Sequence, residues 1–226
     1  MPKGLTGNQL KLIAMVTMTI DHVGMLLFPQ LLWLRLVGRL AMPIYAFFIA
    51  EGCRHTRSMP KYLGSVAIMG LLCSVVTFFA GSLYQNILVT FALSIGLIWL
   101  LQTFREKKNP LWLALFAAGL ALVWFLTQTL PGLLPDTDYA VDYDFLGVIL
   151  PVCVWLMPTK PLQLLAAAGI LLVMGLLNIL QLPALAAIGL LALYNGQRGK
   201  RNIKWLFYWF YPVHLGILHL LAIVIK

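Results

Sequence analysis

The stretch LKLIAMVTMTIDHVGMLLFP, residues 10–29, is an apolar segment of membrane-spanning length with an aspartate and a histidine near its centre. At 1.5 Å of rise per residue, Asp21 lies about 15 Å along a helix from Lys11, which places Asp21 and His22 near the middle of a bilayer. Ionisable side chains at that depth are costly unless they are paired, hydrated or turned towards other helices, so they indicate chemistry or transport. A hydrogen bond that holds two helices together is the structural alternative.

The composition of the whole chain is that of an integral membrane protein. Of 226 residues, 62% are hydrophobic and 10% are charged, whereas soluble domains contain about 25% charged residues. Apolar stretches recur from end to end, so we expect one all-α integral-membrane domain, residues 1–226, folded as a polytopic helical bundle. The first apolar run lacks an Ala-x-Ala-like site, which predicts an uncleaved first span.

Apolar length and polar punctuation divide the chain into about nine predicted spans. They cover residues 9–28, 36–53, 61–80, 86–104, 110–130, 144–157, 161–179, 183–195 and 205–225. With a cytoplasmic N-terminus, most Lys and Arg residues fall in cytoplasmic loops, and the loop of residues 131–144 holds aspartates instead, as the positive-inside rule expects. The net charge of +9 therefore reflects membrane topology, and we expect no nucleic-acid partner.

Arg35 and Arg39 depart from this charge rule, because the loop count places them on the outer side. They lie four residues apart in LRLVGR, residues 34–39, and would project from one face of a helix. Such a pair could hold Asp21, the acidic outer loop or an anionic substrate. Two cations anchored at the level of the lipid headgroups are the alternative.

A second polar group follows in EGCRHTRSMPKY, residues 51–62. If the helix continues, Glu51 and His55 share one of its faces, whereas Gly52 would otherwise end the helix. The acid and the base belong either to a solvated helix end or to a site for a phosphorylated cytoplasmic ligand. The sequence has no Gly-rich phosphate loop, so side chains would have to hold that ligand.

The last apolar run contributes His214. Ten residues of helix separate it from Lys204, which places it about 15 Å along the run, at the same depth as Asp21 and His22. Tyr211 lies one turn before it. A buried histidine at this depth favours a functional role.

The three cysteines are isolated from one another in the sequence. Cys53, Cys73 and Cys153 show neither C-x-x-C spacing nor a histidine arranged as a metal partner, so we expect no metal site. Cys53, beside Glu51, is a candidate nucleophile, and buried packing is the alternative.

These residues stand within a series of motifs that resembles the TraX family, the membrane acetylases associated with conjugative pilin. The series is LTGNQLKLIAMVTMTIDHVG (5–24), LRLVGRLAMPIYAFFIAEGCRHTRS (34–58) with KYL (61–63), VDYDFLGVIL (141–150), LYNGQRGKRN (193–202) and FYWFYPVHL (207–215). The resemblance implies transfer of an acetyl group from acetyl-CoA, as co-substrate, to an amine, typically the N-terminal amine of a pilin subunit. It also implies a multi-pass protein of the bacterial inner membrane, distantly related to transmembrane acyltransferases.

Acetylation of an amine needs a base that takes the amine proton and a hydrogen-bond donor that stabilises the tetrahedral oxyanion, so we expect particular residues to have these roles. We expect His22 to be the base and His214 to be the alternative base or the oxyanion donor. Adjacent helical residues point about 100° apart, so Asp21 should act indirectly and pair with Arg39 or His214. The resemblance adds supporting roles for Arg35, Arg39, Glu51, His55, Asp142, Tyr211 and Asn195. Cytoplasmic cations would bind the phosphates of CoA, namely Arg54, Arg57, Lys61, Arg198, Arg201 and Lys204.

A small proton-coupled transporter or channel that uses Asp21, His22 and His214 is the alternative function. Its ionisable residues would relay protons or coordinate a substrate. No inverted repeat is visible in the sequence, which disfavours a transporter, and a purely structural scaffold leaves the buried charges unexplained. Release of CoA from labelled acetyl-CoA distinguishes the acetyltransferase from the other classes.

Overall fold

A computed structural model describes residues 4–200 and 204–225, without the side chains at 204, 205, 207, 208, 223 and 225. This part of the chain is helical, and the only strand-like pairings in it are isolated bridges, Leu5 with Tyr194 and Gln85 with Val141. The prediction of an all-α protein is therefore confirmed. The elements are α1 (Gly7–Leu26), α2 (Leu32–Gly38), α3 (Ala41–His55), α4 (Met59–Phe79), α5 (Ile87–Lys107), α6 (Pro110–Trp124), a π-helical segment (Phe125–Thr129), α7 (Leu130–Leu133), α8 (Asp144–Leu156), α9 (Lys160–Leu177), a 3₁₀-helix (Ile179–Leu185), α10 (Ala186–Ala192) and α11 (Lys204–Ile225).

Within the described residues, five helical stretches are long and apolar enough to cross a membrane. They are Leu32–His55, Met59–Phe79, Ile87–Lys107, Pro110–Leu133 and Lys160–Leu177, and shorter apolar helices cover Asp144–Leu156, Ile179–Ala192 and Trp209–Ala222. These helices indicate a multi-pass membrane protein. Each of the nine predicted spans contains a helix, but their number and the cytoplasmic N-terminus stay predictions. Helix α1 is long enough to span, but Lys11, Asp21 and His22 make it more polar than the five.

Two expectations about helix ends can be compared with the structure. Arg35 lies inside α2 and Arg39 caps the C-terminus of that helix, so the pair is part of a helix as its spacing predicts. Helix α3 does not end at Gly52 but continues to His55. A Cβ atom at Gly52 would lie 2.5 Å from the Tyr62 hydroxyl, so a larger residue there would require the end of the Tyr62 side chain to shift.

The contacts divide the chain into two compact units, and the boundary falls within α3. The first unit comprises Met1–Phe48 and Lys160–Lys226. In its described part, α1 packs against α2 and α11, and the 3₁₀-helix packs against α9 and α2. The single domain predicted from the sequence stays a prediction.

The N-terminus of α1 is held in two ways. The side chains of Thr6 and Gln9 form a capping box, which satisfies amide groups of the first turn. The loop before α11 supplies backbone carbonyls to the same end, since the Gly7 amide donates to Gln197 O at 2.7 Å and the Asn8 amide to Arg198 O at 2.9 Å. These bonds fix residues 195–198 against the start of α1.

The second unit, Ile49–Thr159, is organised around α5. Helices α4, α6 and α8 pack against α5. Two polar side chains hold α4 and α8 to this helix, because Asn86, the N-cap of α5, donates to Gly70 O at 2.9 Å and Ser94 on α5 donates to Val148 O at 2.8 Å. Thr90 donates to the carbonyl of Asp142 at 2.7 Å and so ties the loop before α8 to the same helix.

The predicted topology can be tested on the second unit, where α6 leads from Lys108 towards the loop that contains Asp138. If Lys and Arg residues set the orientation, a reporter fused after Lys108 is expected in the cytoplasm and one fused at Asp138 outside. Alkaline phosphatase and fluorescent-protein fusions measure the two locations. An external reporter after Lys108 together with a cytoplasmic reporter at Asp138 would show that the predicted orientation is wrong. Reporters on the same side at both positions would exclude a single crossing by α6.

Candidate functional site

Asp21 is bound by Arg35 and Arg39, the two arginines that the sequence offered as partners for it. Arg35 Nη1 donates to Asp21 Oδ2 at 2.9 Å, and Arg39 Nη2 donates to Asp21 Oδ1 at 3.1 Å. The close packing of α1 and α2 makes this possible, because a Cβ atom at Gly38 would collide with the side chain of Asp21. Gly24 of α1 has the same role, since a Cβ there would lie 2.7 Å from Leu34 Cβ. The expected pairing of Asp21 with Arg39 is present, and Arg35 is a second partner.

The two arginines differ in what their remaining donors do. Arg39 is buried, and its Nε donates to Arg35 O at 3.3 Å, which makes it part of the packing between α1 and α2. Arg35 contacts Asp21 through Nη1 alone, and its side chain is 27% exposed. Within residues 4–200 and 204–225, no acceptor contacts Arg35 Nε or Nη2. The carboxylate of Asp21 and the two guanidinium groups together carry a net charge of +1. In that part of the chain, the N–H donors that have no protein acceptor are those of Arg35.

His22 and His214 form a hydrogen-bonded pair between α1 and α11. His22 Nδ1 lies 3.0 Å from His214 Nε2, and His214 Nδ1 lies 2.7 Å from the carbonyl oxygen of Phe210. A carbonyl only accepts, so His214 carries its proton on Nδ1. In the neutral pair His214 Nε2 then accepts, and His22 Nδ1 is the donor.

This hydrogen-bond chain leaves Nε2 of His22 as an unprotonated imidazole nitrogen. In the described part of the chain, no protein group is bonded to it, and the side chain is only partly buried. Aromatic rings fix the pair, because Phe210 stacks on His214 with a centroid distance of 4.5 Å and Tyr211 contacts both imidazoles edge-on. Arg35 and Arg39 lie close by, because both bind Asp21, the residue that precedes His22. A basic nitrogen and a surplus positive charge therefore occur in one neighbourhood.

The first unit thus brings together six of the residues expected to form the site. These are Asp21, His22, Arg35, Arg39, Tyr211 and His214. Phe210 was missed by the sequence reasoning, although its position four residues before His214 is where a helix places a carbonyl within reach of that ring. Asn195 belongs to the same unit but has a structural role, since its Oδ1 accepts from the Gln197 amide at 3.0 Å.

Other expected site residues lie in the second unit, where the structure gives them local partners. Arg54 donates to Glu51 at 2.8 Å, and its Nη2 donates to three carbonyls at the C-terminal end of α8, those of Val154, Trp155 and Met157. The last carbonyls of a helix lack a full set of partners within it, so Arg54 caps α8, where the Val154 carbonyl also accepts from the Met157 amide at 3.3 Å. His55 Nε2 lies 3.6 Å from the Glu51 carboxylate. Glu51 and His55 do share a helix face, but the prominent role of this group is to hold α8.

Asp142 is likewise engaged in holding its own loop. Tyr84 donates its hydroxyl to Asp142 Oδ1 at 2.7 Å, and the Asp142 amide donates to Gln85 O at 2.9 Å. The following residues Tyr143 and Asp144 adopt positive φ angles of 60° and 51°, which turn the chain sharply into α8. Asp142 therefore fixes the turn.

The cations expected to bind CoA are divided between the two units. Arg57 and Lys61 are exposed in the second unit, and Arg198 is exposed in the first. Arg201 and the side chain of Lys204 lie outside the described residues. Cys53 is 2% exposed, which agrees with packing and not with a nucleophile.

Two comparisons with known proteins align with most of the chain. The family profile described as TraX protein matches residues 6–222. A "Probable fimbrial assembly protein FimC, serogroup H1" of Dichelobacter nodosus is 29% identical over 244 residues, with 93% of each chain aligned. "Uncharacterized protein RP591" of Rickettsia prowazekii (strain Madrid E) is 31% identical over 125 residues, which are 54% of this chain and 47% of the relative. No solved structure matches.

Proposed function

This chain belongs to the TraX family, and we propose on that basis that it is a membrane-embedded acetyltransferase that moves an acetyl group from acetyl-CoA to an amine. The observation that carries the proposal is the hydrogen-bond chain from Phe210 O through His214 to His22, which leaves His22 Nε2 as a base. One relative is named as a fimbrial assembly protein. This name supports the N-terminal amine of a pilin subunit as acceptor and the bacterial inner membrane as location.

In the proposed reaction the amine nitrogen attacks the thioester carbon while His22 Nε2 takes one proton from that nitrogen. The π electrons of the thioester carbonyl move to its oxygen and form a tetrahedral oxyanion. When the carbonyl re-forms, the C–S bond breaks, and the thiolate of CoA receives the proton from His22. The products are an acetylated amine and CoA. A positioned base of this kind contributes about 10²- to 10⁴-fold in rate.

His214 acts as a positioning residue in this scheme. Both of its ring nitrogens are engaged, one with Phe210 O and one with His22 Nδ1, so it cannot also donate to the oxyanion. Its Nε2 holds His22 in the tautomer that exposes an unprotonated Nε2. It also accepts from His22 Nδ1 when the ring becomes an imidazolium, which spreads the positive charge over two rings.

Arg35 is the proposed donor for the oxyanion. Its Nη1 is held by Asp21 at 2.9 Å, which orients the guanidinium, while Nε and Nη2 stay available to a ligand. A preoriented cation in a site of low polarity stabilises a developing negative charge strongly, because little reorganisation is needed. Asp21 and Arg39 then serve to orient Arg35, in agreement with the indirect role expected for Asp21.

The activity is tested by incubating the purified protein with labelled acetyl-CoA and a peptide that has a free pilin-type N-terminus. We expect amide-linked label and CoA in equal amounts. The same peptide with a blocked N-terminus is the matched control and should accept no label. If CoA is not released while the reconstituted protein carries a proton current, the transporter alternative replaces the acetyltransferase.

A further inference from the structure

An apolar groove runs along α5 between α4 and α6 of the second unit. Its volume is about 340 Å³, and every residue that lines it has an apolar side chain or is a glycine. Leu63, Ala67 and Leu71 follow one another at intervals of four residues and so form one stripe on α4. On α5 the lining extends from Val89 to Leu100, which is about 16 Å of helix.

The groove opens to the surroundings of the helices and has room at its floor. Leu71 and Leu122, one on each wall, are 60% and 54% exposed. A Cβ atom added to Gly96 would meet no atom within 4 Å beyond its own stretch of helix. At Gly119 a Cβ would lie 3.1 Å from Leu97 Cδ2, so this glycine brings α6 close to α5. A chain that enters from the bilayer can therefore lie against the backbone of α5.

The size and lining of the groove fit a single hydrocarbon chain. Extended backbone advances about 3.6 Å over three bonds, so about 16 Å corresponds to about 14 bonds of an extended chain. A helix with its side chains is about 10 Å wide, and a cylinder of that width and length has a volume of about 1,200 Å³, against about 340 Å³ for the groove. Water would find no hydrogen-bond partner among the lining side chains.

Cations gather at one end of this groove. Helices α4 and α5 pack together as an antiparallel pair joined by residues 80–86, so the start of α4 and the end of α5 lie side by side. The exposed cations at this end are Arg57, Lys61, Arg105, Lys107 and Lys108. Within residues 49–159, all of which the structure describes, the exposed carboxylate at this end is Glu106. The aspartates of the unit lie at the other end, where Gln85 is bonded to residues 140 and 142.

Lys107 is the cation on the groove side of α5. It follows Leu100 by seven residues, two turns of helix, and so projects from the same face. Its Nζ lies 5.0 Å from the ring centre of Trp112, which precedes Gly119 on α6 by the same interval. Tryptophan is enriched where an apolar helix reaches the lipid headgroups. Among residues 4–200 and 204–225, neither Lys107 nor Lys61 has a carboxylate within ion-pair distance.

We propose that the second unit binds one anionic phospholipid, with an acyl chain in the groove and the phosphate on Lys107 and Lys61. The groove accounts for the chain, and the cations at its end are complementary to the negative headgroup. Basic pockets between membrane helices on the cytoplasmic side bind such headgroups, and the predicted topology places this end there. The site is independent of the proposed acetyl transfer.

Native mass spectrometry of the purified protein in a neutral detergent tests the headgroup site. The probes are dimyristoyl phosphatidylglycerol and dimyristoyl phosphatidylcholine, which have the same chains but differ in net charge. We expect one phosphatidylglycerol per protein chain, bound in preference to phosphatidylcholine. Joint replacement Lys61→Gln and Lys107→Gln should weaken phosphatidylglycerol binding by about tenfold or more, the equivalent of one charge-assisted hydrogen bond.

Lys200→Gln is the matched control for charge, because Lys200 is an exposed cation of the first unit. It should leave phosphatidylglycerol binding unchanged. Joint replacement of Lys61 and Lys107 by arginine should keep most of the affinity and guards against a folding defect. Equal affinity for the two lipids in the wild type would overturn the proposal, and so would an equal loss of binding in Lys200→Gln and the double glutamine variant.

Gly96→Leu tests the groove separately. The new side chain would fill the floor of the groove, and leucine forms helices better than glycine, so the fold should persist. Phosphatidylglycerol binding is expected to fall by about tenfold because the acyl chain loses its contacts with α5. Gly169→Leu, at a glycine of α9 with equally open surroundings, is the matched control and should leave binding intact. Undiminished binding in folded Gly96→Leu protein would contradict the site.

Two other occupants would give different results. CoA also has phosphates and is the partner that the sequence predicts for Lys61. If the double glutamine variant loses CoA affinity in calorimetry but keeps its preference for phosphatidylglycerol, the lipid proposal is wrong. If the groove holds a helix of a second copy, Gly96→Leu will convert a dimer to a monomer in light scattering and leave lipid binding unchanged, which also overturns it.

Discussion

Replacing His22 by glutamine is expected to lower acetyl transfer by about 10²-fold or more while the protein stays folded and inserted in the membrane. Glutamine keeps much of the size and hydrogen-bonding capacity of histidine, including a donor for His214 Nε2, but it cannot take a proton near neutral pH. The measurement is the rate of CoA release by protein that elutes as a single species in detergent.

His219→Gln is the matched control for this experiment. His219 is an exposed histidine on α11 whose Nδ1 contacts the carbonyl four residues earlier at 2.9 Å, as His214 does, but in the described residues it forms no hydrogen bond with His22. Its replacement should leave the rate unchanged. His214→Gln should lower the rate less than His22→Gln and alter its pH profile, because the amide can bond to Phe210 O and His22 but cannot share a proton. Wild-type turnover in folded His22→Gln protein would place the base elsewhere.

Replacing Asp21 by alanine is expected to destabilise the protein by about 3–5 kcal/mol, the effect of leaving a buried partner charge uncompensated. The Asp21 side chain is 13% exposed and that of Arg39 is 10% exposed, so both charges are largely withdrawn from water. Asp21→Asn should have a smaller effect because it keeps one acceptor oxygen. The loss is measured as the shift of the unfolding transition in detergent.

Two further variants identify the cause of this loss. Asp136→Ala removes an exposed carboxylate from the loop after α7 and should have no measurable effect. Joint replacement of Asp21, Arg35 and Arg39 by leucine should recover much of the stability, since apolar residues of similar volume often replace a buried ion group without penalty. It should not recover activity, because it removes the proposed oxyanion donor. Equal stability of Asp21→Ala and wild type would show that the arginines find other partners.

Several parts of the site could be predicted from the sequence because they depend on the spacing of residues within one helix. The spacing of Arg35 and Arg39 predicts a shared helix face, and both do reach the same carboxylate on Asp21. The role of Arg54 could not be read in this way. The sequence makes it a cation at a helix end, suited to a phosphate, whereas the structure shows it bonded to carbonyls about one hundred residues away.

The sequence by itself determined that this protein is helical, where its apolar helices lie, and that Asp21, His22 and His214 are ionisable groups inside them. It could do so because helices close their hydrogen bonds four residues apart and apolar length is a local property. Only the tertiary structure decided that His22 and His214, which are 192 residues apart, share a hydrogen bond, and that this bond leaves His22 Nε2 unprotonated. It likewise placed Lys11 beside Phe48, and Phe48 beside Tyr194. The physical reason is that such contacts depend on how distant helices pack, and packing is set by the shapes of many side chains at once, not by the spacing along one segment.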